Sequence, residues 1–459
     1  MKKLPFVDRI DEQKRLKRAL SGASGCLIVV YGRRRCGKST LLQKISVGLD
    51  SIYYLADLKE TSLQIQDLSR EIDKLVPGFS SATKPAWDSV ISNLNGRLDK
   101  TITLYLDEFP YLVQLSPELP SILQKYLDSP GHKNVNLVLC GSSQRMMHGL
   151  VMDRSAPLYG RAEEIVKIEP LKAGWICEAM SLSGVDAVEA YSVWGGVPRY
   201  WELASGFGSR EDAISELVLD RNGILYEEPM RILSDDMRSA VQPYSLLSVI
   251  GQGCNKMSEI AARLEKPATS LARPLAQLID LGYVRRELPF GEDSKSTRKS
   301  LYKIKEPFLR FHFRFLQPRK SQLESGVIKA AFQDILKTFS HHVGQVWEDL
   351  ARQSVPGCGI AGRDWGPAER WWGTGVDGQS CELDLVAESL DGKSLLLGEV
   401  KWNESEMDVK RAKARLVEIG NRIPFIKKRE IVPAVWVRRG QKSSQIDTIL
   451  PDDVLRWLR

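Results

Sequence analysis

Eight residues constrain this chain more than any others: Gly32-Arg33-Arg34-Arg35-Cys36-Gly37-Lys38-Ser39. They follow the apolar run Cys26 to Tyr31 and precede a helical pattern that starts at Lys38 and takes in Thr40. A turn with glycines near both ends, set between a buried strand and a helix, aims main-chain N–H groups around a phosphate. The spacing fits G-x-x-x-x-G-K-[ST], so Gly32 to Ser39 and Thr40 are expected to bind ATP. Lys38 would reach the β- and γ-phosphates, and Ser39 would ligate Mg²⁺. Such a loop implies an α/β domain.

An acidic strand end lies about 70 residues downstream, where Ile102 to Leu106 runs into Asp107 and Glu108. Asp107 can hold Mg²⁺ directly or through water, and Glu108 can polarise an attacking water. Ser51 to Ala56 and Asn136 to Cys140 are further apolar runs of strand length. Runs of this kind suit a parallel sheet covered on both faces.

A chain of 459 residues exceeds what one hydrophobic core organises, so several domains are expected. Four segments differ in pattern: an ATPase core at 1–170, a mainly helical lid at 171–235, a mixed segment at 236–320, and an α/β segment at 325–459. No run of about 18 apolar residues argues for a membrane span, and no apolar stretch follows Lys2 and Lys3 as a secretory signal requires. The seven cysteines include no Cys-x-x-Cys pair, which argues against zinc and disulfide frameworks and for a reducing cytoplasm. Net charge is +7 and unevenly placed. Residues 240–320 hold 15 Lys and Arg against 7 Asp and Glu, leaving the rest of the chain near neutral. A basic excess confined to one segment points to nucleic acid there.

Four stretches resemble the prokaryotic AAA+-type ATPases related to the STAND class. They are the Gly32–Ser39 loop, Leu106-Asp107-Glu108-Phe109-Pro110-Tyr111-Leu112, Cys140-Gly141-Ser142-Ser143, and Gly195-Gly196-Val197-Pro198-Arg199-Tyr200. More narrowly, the chain resembles archaeal-type ATPases that carry a carboxy-terminal nuclease-like domain. The resemblance implies that Ser142 or Ser143 is a polar sensor at the γ-phosphate. It implies that Arg161 is a charge-stabilising arginine, against the plainer reading of a surface ion pair. Sites of this kind draw the arginine from their own chain or from a neighbour, which leaves homo-oligomerisation open. Gly195, Gly196 and Pro198 would mark a lid closing over the nucleotide. Cys36, inside the loop, would make the site sensitive to oxidation.

Within 236–320, Met257 to Leu264 reads as a helix, a turn at Lys266-Pro267 follows, and a second helix spans about Thr269 to Leu281. Gly282 to Arg286 and Ser300 to Ile304 would be the strands of a wing. This is winged-helix order, with Thr269, Ser270, Arg273 and Gln277 facing a DNA groove and Lys295, Arg298 and Lys299 meeting phosphates. Packing between domains is the competing role for such a module.

In the last segment, Glu382-Leu383-Asp384-Leu385-Val386 places Asp384 in a strand, and Gly398-Glu399-Val400-Lys401 places Glu399 and Lys401 on one face of the next. Two carboxylates beside a lysine suit a hard divalent cation and phosphodiester hydrolysis. Glu348, on the preceding helix, would add a third carboxylate. The pattern, with its helix, three strands, helix and strand, resembles the PD-(D/E)xK restriction-endonuclease-like superfamily, although Leu383 stands where the motif has proline. The whole reading is an ATP-hydrolysing, DNA-acting protein with a Mg²⁺-dependent nuclease-like domain gated by nucleotide. The alternative is a STAND-like switch whose terminal domain binds nucleic acid or protein without cleaving.

Overall fold

The computed structural model describes residues 4–459 apart from 23, 83–84, 132, 238, 294, 296–298, 427–428 and 444–445. Contacts divide the chain into two compact units. The first holds residues 9–170 and 232–238, and the second holds 1–8, 171–231 and 239–459. Among the described residues no helix is long and apolar enough to cross a membrane.

The first unit opens with α1 (Ile10–Leu20), β1 (Leu27–Tyr31), α2 (Lys38–Ser46) and β2 (Ser51–Leu55). Next come α3 (Thr61–Asp73), α4 (Trp87–Gly96), β3 (Ile102–Asp107), α5 (Phe109–Leu115) and α6 (Leu119–Asp128). It closes with β4 (Val135–Gly141), α7 (Gln144–Val151) and β5 (Ala162–Lys167). The five strands form one parallel sheet in the order β2-β3-β4-β1-β5. Leu27 to Val30 are all at most 1% exposed, so both faces of β1 are covered, as its unbroken apolar run requires. Leu68, Ile72, Val90, Leu94, Leu112 and Leu123 pack from the helices onto one face. Burial of each such side chain contributes roughly 1.5–3 kcal/mol.

The second unit contains α8 (Gly184–Trp194), α9 (Pro198–Ala204) and the start of α10 (Glu228–Asp236), whose last residues group with the first unit. Three helices follow, α11 (Val241–Gly251), α12 (Met257–Arg263) and α13 (Ala268–Asp280). An antiparallel hairpin of β6 (Val284–Glu287) and β7 (Leu301–Ile304) comes after them. Beyond α14 (Pro307–Phe311), the long α15 (Ile328–Ser354) leads into β8 (Glu369–Thr374), β9 (Ser380–Glu388) and β10 (Ser394–Lys401). The chain continues through α16 (Val409–Arg422), β11 (Glu430–Val437), β12 (Asp447–Ile449) and α17 (Pro451–Trp457). These strands form a second, mixed sheet in the order β12-β11-β10-β9-β8. β8, β9 and β10 are antiparallel neighbours, whereas β11 lies parallel to β10 and to β12. Ala412, Leu416 and Ile419 of α16 join Leu395, Leu397 and Val435 in the core of this sheet. Gly196 sits where an added Cβ would lie 2.1 Å from the Leu171 carbonyl oxygen, so only glycine permits that approach.

Candidate functional site

Because the first sheet is wholly parallel, the carboxyl ends of β1, β3 and β4 open on one edge. That edge is where ligands bind in open α/β sheets. The Gly32–Ser39 loop leaves β1 there, Asp107 and Glu108 end β3, and Ser142 follows β4. At Gly32, φ is +150° and a Cβ would stand 2.3 Å from the Ile168 carbonyl oxygen. Gly37, with φ +86°, turns the chain into α2. Lys38 is 5% exposed, and its Nζ donates to the Gly32 and Arg33 carbonyl oxygens, both at 2.9 Å. Its ammonium therefore lies inside the loop.

Arg9, which the sequence did not single out, braces the loop. Its guanidinium donates to the Cys36 carbonyl oxygen at 3.1 Å and the Glu169 carbonyl oxygen at 2.6 Å. Cys36 is fully buried, which corrects the expectation of an oxidation-sensitive thiol. Arg34 pairs with Asp235 at 3.0 Å and lies close enough to feel the Glu108 charge.

On β3, Asp107 is 1% exposed. It accepts hydrogen bonds from the Tyr53 hydroxyl at 2.6 Å and from the Glu108 N–H at 3.0 Å. Burial, and next the Asp107 charge, raise the Tyr53 pKa, so the phenol stays a donor to that carboxylate. Burial likewise lifts the Cys140 thiol far above its ordinary range, with Asp107 adding to the effect. Glu108 adopts a left-handed backbone, φ 54° and ψ 42°, that side-chain-bearing residues rarely take. Its Oε2 accepts from the Ser142 hydroxyl at 2.9 Å and the Ser142 N–H at 3.3 Å. The neighbouring Ser143 instead caps α7, accepting from the Met146 N–H at 3.4 Å. Thus Ser142, of the two serines, reaches the acidic pair.

Arg161 is not brought to this edge within its own chain. It precedes β5, whose first residue Ala162 pairs with Leu27, so it lies at the amino ends of the strands. Five strand residues separate those ends, roughly 16 Å. Both Asp128 carboxylate oxygens hold its fork, at 2.8 and 2.7 Å, which corrects the expectation of a charge-stabilising role in its own chain.

In the second unit, Asp384 on β9 and Glu399 and Lys401 on β10 meet. Lys401 Nζ stands 3.5 Å from Asp384 Oδ2 and 3.6 Å from Glu399 Oε1. Asp384 Oδ2 also accepts from the Val400 N–H at 3.0 Å, and Glu399 Oε1 accepts from Arg415 at 2.9 Å. Glu348 does not complete a three-ligand set: among the described residues no three His, Cys, Asp or Glu side chains converge on one metal position. Burial holds the Glu348 carboxyl above its usual range, Arg352 opposes that, and Asp384 reinforces it. Arg352 lies 3.8 Å from Glu348 and donates to the Asp384 carbonyl oxygen at 2.8 Å.

Along α13, Leu271, Leu275 and Leu278 are buried, while Thr269, Ser270, Arg273 and Gln277 are exposed. Lys295 and Lys299 are exposed beyond β6, and Lys299 pairs with Glu292. Arg298 lies outside the described residues.

A parallel sheet with the Gly32–Ser39 loop on one strand and an acidic pair on another defines a P-loop ATPase. Residues 6–203 match an ATPase domain found predominantly in Archaea. Residues 312–414 match a family of archaeal and bacterial proteins of unknown function. The chain thus carries an archaeal-type ATPase domain and a carboxy-terminal domain of that second family. It is 29% identical over 413 residues to the uncharacterized protein MJECL04 of Methanocaldococcus jannaschii, spanning 88% of this chain and 90% of that one. Its fold is shared with the Walker-type ATPase PABY2304 of Pyrococcus abyssi, with a TM-score of 0.50, 21% identity, and coverage of 67% and 96% of the two chains. The ORC2 protein of Aeropyrum pernix is similar over 72% of this chain and 96% of its own, at a TM-score of 0.41 and 15% identity.

Proposed function

We propose that this ATPase acts on DNA, and that nucleotide gates a Mg²⁺-dependent phosphodiester-cleaving site in its second unit. In the first unit, Lys38 exchanges two main-chain carbonyls for phosphate oxygens, and the N–H groups of residues 32–39 wrap them. Ser39 and Asp107 offer the hard oxygen donors that Mg²⁺ selects, and Tyr53 fixes the Asp107 carboxylate. Mg²⁺ held there supplies charge neutralisation at the phosphates. Ser142 orients Glu108, which polarises the attacking water.

The observation that carries the cleavage reading is that Asp384 and Glu399, on adjacent strands, each lie within 3.6 Å of Lys401. The element order around them, α15, β8, β9, β10, α16, β11, resembles that of the restriction-endonuclease-like superfamily and supports this reading. Two carboxylates fit Mg²⁺ because that ion is commonly held by one or two of them together with substrate phosphates. Bound there, it would supply Lewis acidity and a hydroxide at neutral pH. Lys401 stabilises the negative charge that develops on the phosphate. The basic balance of residues 240–320, with α13 presenting Arg273 and Gln277 outward, supports winged-helix contact with DNA.

One feature favours the second reading, a nucleotide-controlled switch whose terminal domain binds without cleaving. Glu399 is already neutralised by Arg415 and Lys401. Incubating plasmid, linear duplex and single-stranded DNA with Mg²⁺ or Mn²⁺ separates the two. Cleavage by the wild type that disappears in Glu399→Ala is the expected result. ATP hydrolysis by both proteins with no cleavage by either would give the switch the lead.

A further inference from the structure

Two consecutive carboxylates, Asp235 and Asp236, end α10 and group by their contacts with the first unit. They reach the nucleotide site through two different loops. Asp235 Oδ2 accepts from Arg34 of the phosphate loop at 3.0 Å, with side-chain exposures of 34% and 52%. Asp236 is 3% exposed, and its Oδ1 accepts from the Gln144 N–H at 3.0 Å. Gln144 is the first residue of α7, where helix N–H groups lack intrahelical acceptors and a carboxylate is favoured by the helix dipole. The turn entering α7 is thereby fixed twice, by the Ser143 hydroxyl on Met146 and by Asp236 on Gln144. That turn carries Ser142, whose hydroxyl and N–H both bond Glu108 Oε2.

We propose that Asp236 is a positioning residue for ATP hydrolysis, acting through Gln144 and Ser142 on Glu108, and that Asp235 competes with nucleotide phosphate for Arg34. The first half rests on the reading of Glu108 as the carboxylate that polarises water. A carboxylate two removes from the reaction sets the angle of Glu108 and leaves phosphate binding to the loop. Removing it therefore lowers turnover without weakening nucleotide affinity. The Asp235–Arg34 pair, being half exposed, is weak enough for a triphosphate to displace. Removing Asp235 leaves Arg34 available to the phosphates at once.

The test is steady-state ATP hydrolysis by the full chain, with binding of a fluorescent ATP analogue measured alongside. Asp236→Ala should lose roughly 10- to 100-fold in kcat, with KM and analogue affinity within about twofold of wild type. Asp236→Asn keeps an oxygen acceptor for Gln144 and should retain most of kcat. Asp235→Ala should lower KM about two- to fivefold at low salt, and the difference should vanish at high salt. Wild-type kcat in Asp236→Ala beside an inactive Glu108→Gln would overturn the positioning role alone. Equal loss in Asp236→Asn and Asp236→Ala would also overturn it, because the hydrogen bond would then not be the cause. Full activity in Glu108→Gln would remove the Glu108 reading and the relay with it. An unchanged KM in Asp235→Ala would overturn the competition for Arg34.

Discussion

His312 begins a π-helical turn, is 2% exposed, and has no hydrogen-bond partner on either ring nitrogen among the described residues. Burial, with Lys320 adding to it, pushes its pKa down to about 3, so the folded protein holds the ring neutral. An unfolded histidine titrates near 6.5. As pH falls below that value the unfolded chain takes up a proton that the folded chain refuses, and stability drops until pH approaches 3. His312→Phe should remove about 2 kcal/mol of the stability lost between pH 7 and pH 5, as read by urea unfolding at the two pH values. Identical pH dependence in variant and wild type would contradict this. The phosphate loop was legible because its motif contains its own geometry. Arg9, Tyr53 and Asp236 were not, since their partners stand 27, 54 and 92 positions away. Arg161 was misplaced because its neighbourhood depends on which end of β5 it occupies.

Among the elements, α15 shows how adjacent residues part company. Glu348 was the carboxylate expected to face the acidic site. Glu348 feels the Asp384 charge, whereas its neighbour Asp349, about 100° further round the helix, is buried in a different cluster. Asp349 accepts from Arg285 of β6 at 2.8 Å, Arg310 of α14 at 2.7 Å and Arg352 at 2.6 Å. Burial opposes the charged form, yet the three guanidinium groups hold Asp349 well below the usual carboxylate range. The cluster ties the hairpin and α14 to α15, and through Arg352 to the β9 main chain at Asp384. Asp349→Ala removes the carboxylate that three guanidinium groups share, leaving Arg285 to Glu287 and Arg352 to Glu348, and should cost about 3–5 kcal/mol of the second unit's stability. A loss below about 1 kcal/mol in denaturant unfolding would contradict that. Mainly apolar strands, β1, β3 and β4, were readable from sequence. β5 was not, because Ala162-Glu163-Glu164-Ile165-Val166-Lys167 is half charged. It survives at a sheet edge because Arg15 and Arg18 of α1 pair with Glu164. β12 and α17 gave no distinct signal either, being three and seven residues long.

For the whole molecule, one chain joins an archaeal-type ATPase unit to a mixed-sheet unit bearing a paired-carboxylate site. We propose that nucleotide in the first governs chemistry in the second. A ligand shifts an equilibrium only by its differential affinity for the two states, so the claim requires a dependence on ATP that disappears when ATP cannot bind. Lys38 lies inside the phosphate loop, and replacing it removes the ammonium while leaving Asp384, Glu399 and Lys401 untouched. The most direct measurement is the rate of Mg²⁺-dependent DNA cleavage with and without ATP, in wild type and in Lys38→Ala. Gating by nucleotide predicts rates that differ about tenfold or more between the two conditions in the wild type, a change worth about 1.4 kcal/mol, and no difference in the variant. Equal cleavage with and without ATP in the wild type, or an ATP effect that persists in Lys38→Ala, would contradict it.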